Sequence, residues 1–243
     1  APAAAALAAA PGPAWSPEAQ AVLMAVAVVA LGLPHGSFDM EVGRRLFAPR
    51  LGPGWWLAFG GVYLVAAAAG VGLWLALPWL GLLSLLVLGA LHWGDEDLEV
   101  VPRRWPVRVW WAASRGVVPV ALPCLWHADE VASIFETLLL GAPVGAGMVR
   151  GWSGLAVAAA MPGLVAQVIA TWRGRADGPL WWRGSAGLEV LVLTGWFAVV
   201  PPLPAFTIYF CLWHAVRHSM RSAATLDASD WRRAWRRYAA ITA

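Results

Sequence analysis

Lysine is absent from this 243-residue chain: all 17 basic side chains are arginine. No side-chain amine is therefore available to form a Schiff base. Cysteine occurs only twice, at Cys124 and Cys211, too few for a disulfide framework or a zinc-type cysteine cluster. Charge of either sign is scarce as well. Charged residues make up 13% of the chain, against the ~25% of a soluble domain. With 60% hydrophobic residues and a mean hydropathy of +0.64, there is too little polar surface to coat a water-facing globule. Disorder is excluded by the same composition. What remains is an all-α, polytopic transmembrane helix bundle with the lipid bilayer as its solvent. No nucleic-acid partner is expected.

A span needs ~20 apolar residues to cross ~30 Å of hydrocarbon. Seven stretches are candidates, the first and third of them short: Ala19–Leu33, Trp55–Leu77, Trp79–His92, Trp105–Trp126, Gly151–Trp172, Leu180–Val200 and Leu203–Ala224. Pro34 and Pro78 sit at the edges of short spans, where the residue before proline disfavours helix. The arginines segregate. Fifteen fall in the connections after spans 1, 3 and 5, in the first turn of the spans that follow them, and from the end of span 7 onward, and Arg150 stands alone on the opposite side. Arg115 lies inside span 4. The positive-inside bias places the N-terminus outside and the C-terminus in the cytoplasm, as expected of a multi-pass protein of the cell (inner) membrane. Residues 1–17 read as a flexible or processed tail, residues 18–226 as the transmembrane catalytic bundle, and residues 227–243 as a cytoplasmic interfacial segment. In that segment Trp231 and Trp235 lie among four arginines, which predicts a short anchoring helix on the membrane surface. The apolar run resuming at Ala239–Ala243 leaves room for a further helix beyond it.

Topology sorts the five histidines. His35, His92, His214 and His218 all fall in the cytoplasmic half of descending spans, whereas His127 follows span 4 on the other side. His214 and His218, four apart, project from one helical face. A single histidine in such a place is commonly a hydrogen-bonded core residue. Four at compatible depths, two of them paired, point instead to a metal, because uncompensated polar groups inside a membrane are costly and usually functional. Imidazole suits Zn, Cu, Fe and Ni alike. Four neutral ligands add no negative charge, so nearby carboxylates are expected to take the distal ring N–H groups. The candidates are Asp39, Asp95, Glu96, Asp97 and Glu189. Asp95–Asp97 read equally well as a solvated loop. Glu189 reads equally well as the ion-pair partner of Arg115, which lies at a similar depth.

Three segments carry a family resemblance: Gly32-Leu-Pro-His-Gly-Ser-Phe-Asp39, His92-Trp-Gly-Asp-Glu-Asp97 and Trp213-His-Ala-Val-Arg-His218. They resemble the motifs of the Brp/Blh family of bacterial and archaeal membrane β-carotene 15,15′-dioxygenases. Pro123–Glu130, with Ile134 and Phe135, is similar to a fourth stretch of that family; the first segment departs from the pattern at Met40, which follows Asp39 where a histidine is expected. The resemblance implies an Fe(2+) centre held by His35, His92, His214 and His218. It also implies β-carotene and O2 as substrates and two molecules of retinal as product. A polyene offers almost no hydrogen-bonding handle, so Phe38, Trp93, Tyr209, Phe210 and Trp213, close to the ligands, are the expected wall of a substrate tunnel. A retinal-binding rhodopsin would be a natural recipient of the product, though no residue here calls for one. The chain is not itself a rhodopsin, because it has no lysine. A di-iron desaturase would need roughly twice the histidines. Without the resemblance, a four-His metal transporter or another membrane iron oxidoreductase acting on lipids remains open.

Overall fold

The computed structural model describes residues 16–32, 36, 38–98, 100–173, 186–227 and 229–242, and every regular element among them is helical. In chain order these are α1 (Pro17–Ala27), the π-helical turn π1 (Val28–Gly32), α2 (Asp39–Leu51), α3 (Trp55–Ala76), α4 (Pro78–Glu96), α5 (Trp105–Trp126), α6 (Ala128–Leu138), α7 (Ala146–Trp172), α8 (Ala186–Val199), α9 (Pro202–Ile208), the π-helical turn π2 (Tyr209–His214), α10 (Ala215–Leu226) and α11 (Trp231–Thr242). Among the described residues two runs are long and apolar enough to cross a bilayer, Asp39–Ala76 and α7; the pair α5 and α6 makes a third if counted as one span bent by 107°. Apolar helices of 10–17 residues cover Glu18–Gly32 and Gly187–Val199. No residue of α3 is buried, and Leu64 and Val65 stay 70% exposed. That surface is sustainable in hydrocarbon and not in water.

The helices form two units, one of Ala1–Ala21 with Leu82–Phe206, the other of Val22–Gly81 with Thr207–Ala243. In the first, α5 packs along α7, with α8 against α5 and α6 against α7. Small residues set these distances. A Cβ on Gly94 of α4 would run into the Ala112 carbonyl of α5, and one on Gly116 into the Ala90 carbonyl. Likewise Gly163 of α7 leaves room for Ser114 of α5. Between lipid-solvated helices the hydrophobic effect supplies little drive, so close backbone approach and interhelical hydrogen bonds take over. Gln167 Nε2 accordingly donates to the Trp111 carbonyl at 3.0 Å.

In the second unit α2 packs on α3, and Gly43 admits the Phe59 ring, which a Cβ would meet at 2.6 Å. The two π turns lie against each other, and α10 carries α11. Phe38, Ala223, Leu226, Ala234 and Tyr238 form a small core there, flanked by Trp235 and Ile241.

Several segments depart from the sequence expectation. The connections around Asp39–Leu51 and Ala128–Leu138 are helices, α2 and α6. Span 3 continues to Glu96, so Asp95 and Glu96 are helical, not looped. Residues 180–185 of span 6 lie outside the described residues. The C-terminal helix forms as expected, but Trp235 packs towards protein, while Trp231 remains exposed. A face repeating at Ala234, Tyr238 and Ile241 finds its partner in α10, Arg232, Arg233 and Arg236 are left outward, and Arg237 Nη1 donates to the Leu226 carbonyl at 2.9 Å.

Candidate metal centre

The paired histidines sit where the last long apolar segment changes pitch. Between α9 and α10 the chain widens into π2, and the Ala215 N–H donates to the Phe210 carbonyl five residues back. Such a turn inserts one residue into the helical register and rotates the succeeding helix by roughly 100°; it is favoured at functional positions. His214, the last residue of π2, is completely buried, and His218 comes one turn later, half-buried. Their ring centroids are 6.4 Å apart. Phe210 stacks on the His214 ring at 6.0 Å with 21° between planes, and Tyr209 lies at 6.4 Å. His218 Nε2 and Ser222 Oγ share a hydrogen bond of 3.3 Å.

π1 ends at Gly32 and lies against π2 within the same unit. His35 comes three residues later and lies outside the described residues. His92 is on α4, in the other unit, with its side chain exposed. Within either unit, no three His, Cys, Asp or Glu side chains among the described residues are grouped to hold a metal.

The candidate carboxylates have different fates. Arg108 grips Asp95 with both oxygens, Nε to Oδ1 at 2.6 Å and Nη2 to Oδ2 at 2.5 Å. Sequence reasoning missed Arg108, since no periodicity links the end of α4 to the start of α5. Asp97 is buried and Glu96 half-buried. Glu189 forms a salt bridge with Arg115, each side chain 3% exposed, which is one of the two alternatives its depth allowed. Asp39 is exposed and lines a cavity of about 400 Å³ with Met40, Trp56, Phe59 and Tyr63.

Of the expected tunnel aromatics, Tyr209 is buried, Phe210 is taken up by the His214 stack, and Trp213 carries Arg217 5.7 Å above its ring. Trp93 meets Phe206 at 5.3 Å. Phe38 is buried in the C-terminal core, stacked on Tyr238 at 5.7 Å. His127, at the bend between α5 and α6, donates Nε2–H to the Phe197 carbonyl at 3.0 Å. That is a structural hydrogen bond within its own unit.

A family model described as beta-carotene 15,15′-dioxygenase matches residues 26–243. A probable β-carotene 15,15′-dioxygenase Blh of Halobacterium salinarum is 32% identical over 238 residues, covering 90% of this chain and 67% of the relative. A β-carotene 15,15′-dioxygenase of an uncultured marine bacterium is 29% identical over 196 residues, covering 79% of this chain and 65% of the relative. The probable enzyme Brp of Halobacterium salinarum is 29% identical over 231 residues, covering 87% of this chain and 61% of the relative. The chain thus spans about two thirds of the length of these relatives. No solved structure matches it significantly.

Proposed function

The chain belongs to the β-carotene 15,15′-dioxygenase family, and from that membership we propose that it cleaves β-carotene at the central double bond with O2. Both oxygen atoms enter the product, so two molecules of retinal form and no reductant is consumed overall. The observation that carries this reading is the family match over residues 26–243, which includes all four candidate histidines. We assign the iron(II) to His35, His92, His214 and His218. The donor set fits: uncharged imidazoles suit iron, and His214 and His218 lie one turn apart on one helical segment, the first fully enclosed. When bound, iron would supply the binding and activation of O2.

The protein's own work is then positioning. His214, enclosed and stacked on Phe210, keeps its ring in one plane and keeps water away. Phe210, Trp213 and Trp93 keep partly exposed rings near the histidine motifs, and a polyene must be held by such shape, one double bond among many; Tyr209 and Phe38 are buried. Asp39, Glu96 and Asp97 belong to or follow those motifs and are the proposed acceptors for distal ring N–H groups, whereas Asp95 is already held by Arg108. Glu189 is already held by Arg115. The substrate dissolves in lipid, and seven spans with the N-terminus outside and the C-terminus cytoplasmic suit it. The arginine segregation supports that topology. This chain offers the released aldehyde no lysine for a Schiff base, and a separate retinal-binding protein would be a natural recipient.

The test is to feed β-carotene aerobically to cells making the protein and identify the product. Retinal carrying label from labelled O2 is expected. No retinal, or aldehyde label arriving from water alone after correction for exchange, overturns the reading.

A further inference from the structure

Gly32 carries a duty that its place in a sequence motif does not explain. It is buried at the end of π1, and a Cβ built on it would stand 2.8 Å from Phe210 Cε1 and 3.3 Å from Val28 Cγ1. Phe210 belongs to π2, and its ring is stacked nearly parallel on the His214 imidazole. The Ala215 N–H to Phe210 carbonyl bond closes the wide turn that contains both rings. One edge of the Phe210 ring therefore meets Gly32, and the ring stacks on His214.

We propose that Gly32 and Phe210 are positioning residues that together set the plane of the His214 ring. The proposal rests on the reading of His214 as a metal ligand. The lone pair of a ligating imidazole lies in the ring plane, so tilting the ring aims it away from the ion. Ligand sets tolerate errors of only ~0.5 Å or 10–20°. Alanine at position 32 would require the Phe210 ring to retreat by about 0.6 Å, from 2.8 Å to the 3.4 Å of an ordinary van der Waals contact. The His214 ring is stacked on a face of that same ring, so moving the phenyl ring alters the stack. A single methyl group at Gly32 thus reaches the ligand through the phenyl ring without touching the ion.

The experiment titrates Co(2+), as a spectroscopic stand-in for iron, into purified metal-free protein in detergent micelles. It compares the wild type with Gly32→Ala, Phe210→Leu, the double variant and His214→Ala. His214→Ala is expected to lose the high-affinity cobalt band. Its retention overturns the ligand assignment itself, independently of the other arms. Gly32→Ala is expected to weaken Co(2+) binding about tenfold or more, the usual cost of disturbing what orients a metal-bound histidine, and to shift the cobalt absorption band. In the Phe210→Leu background the same glycine change is expected to have no effect, because the ring edge it strikes is gone. Unchanged affinity and spectrum in Gly32→Ala overturn the proposal, and so does an equal effect in both backgrounds. If Gly32→Ala does not accumulate, recovery by the added Phe210→Leu supports the pair, and failure of the double variant overturns it.

Discussion

Arg115 of α5 and Glu189 of α8 form an ion pair with 3% of each side chain exposed. Removing one partner strands the other charge. Glu189→Ala or Arg115→Met should each cost about 3–5 kcal/mol of stability, while Arg115→Met with Glu189→Leu should recover most of the loss. Thermal denaturation in detergent measures this. Were Glu189 instead orienting a ligand, Glu189→Ala would lower iron content and leave the melting temperature in place.

The crossing of α4 and α5 rests on Gly94 and Gly116, each facing a carbonyl of the opposite helix. Backbone cannot retreat as a side chain tip can, so alanine at either site should part the helices. A loss of about 3 kcal/mol or more is expected, at or beyond the upper end of ordinary overpacking. Gly72, with open space around its Cβ position, is the control, and Gly72→Ala should leave the melting curve unchanged or slightly raised. Equal melting curves for Gly94→Ala and Gly72→Ala would contradict the close crossing.

Alanine in place of His35, His92, His214 or His218 should abolish retinal formation and lower bound iron. His127→Ala should lose about 1 kcal/mol through its hydrogen bond to the Phe197 carbonyl and keep its iron. Metal analysis beside product chromatography reads both. Sustained retinal production from His214→Ala would remove that residue from the centre.

Acid should loosen the C-terminal helix. Hydrogen bonds from the Ser229 side chain and from the backbone N–H groups of Ser229 and Asp230 hold the Asp227 carboxyl below its ordinary value. A depressed acid stabilises the fold above its unfolded pKa, and that contribution disappears as pH falls through the folded value. The protection of α11 amides, with the intrinsic pH dependence of exchange divided out, should therefore be flat from neutrality down to about pH 4 and fall below it. In Asp227→Asn the fall should vanish and protection should be low throughout. An acid transition unchanged in Asp227→Asn would assign it to another group.

Much of the helical layout is legible in the chain itself. Trp105–Trp126 is a helix with those same ends, and Trp55–Ala76 stops one residue short of the expected span, because long apolar runs have few other stable forms in lipid. α2 and α6 are hidden in the sequence because Arg44, Arg45, Asp129 and Glu130 make their segments look like solvated connections. Their helicity comes from pairing and packing. Glu41 binds Arg44 and Arg45 one turn on, at 2.7 and 2.8 Å, and Gly43 admits Phe59. At the candidate site, Ser222 is findable as the residue four after His218. Spacing alone puts Phe38 and Phe210 near the candidate histidines, but their packing partners, Tyr238 and Gly32, are remote in sequence, and no periodicity joins them.

The sequence by itself determined an apolar surrounding, a pattern of histidines and one exclusion. A chain this poor in charge must be covered by lipid, four of its five histidines share one predicted depth, and without lysine it cannot bind retinal as a Schiff base. Tertiary structure alone decided the pairings. It gave Glu189 to Arg115 and Asp95 to Arg108, and it brought Gly32 against the ring that stacks on His214. Composition and spacing record what each segment can do locally. Which faces meet depends on helix crossing distances and on the register shift of a π turn, and those are set by close packing among residues far apart in the chain.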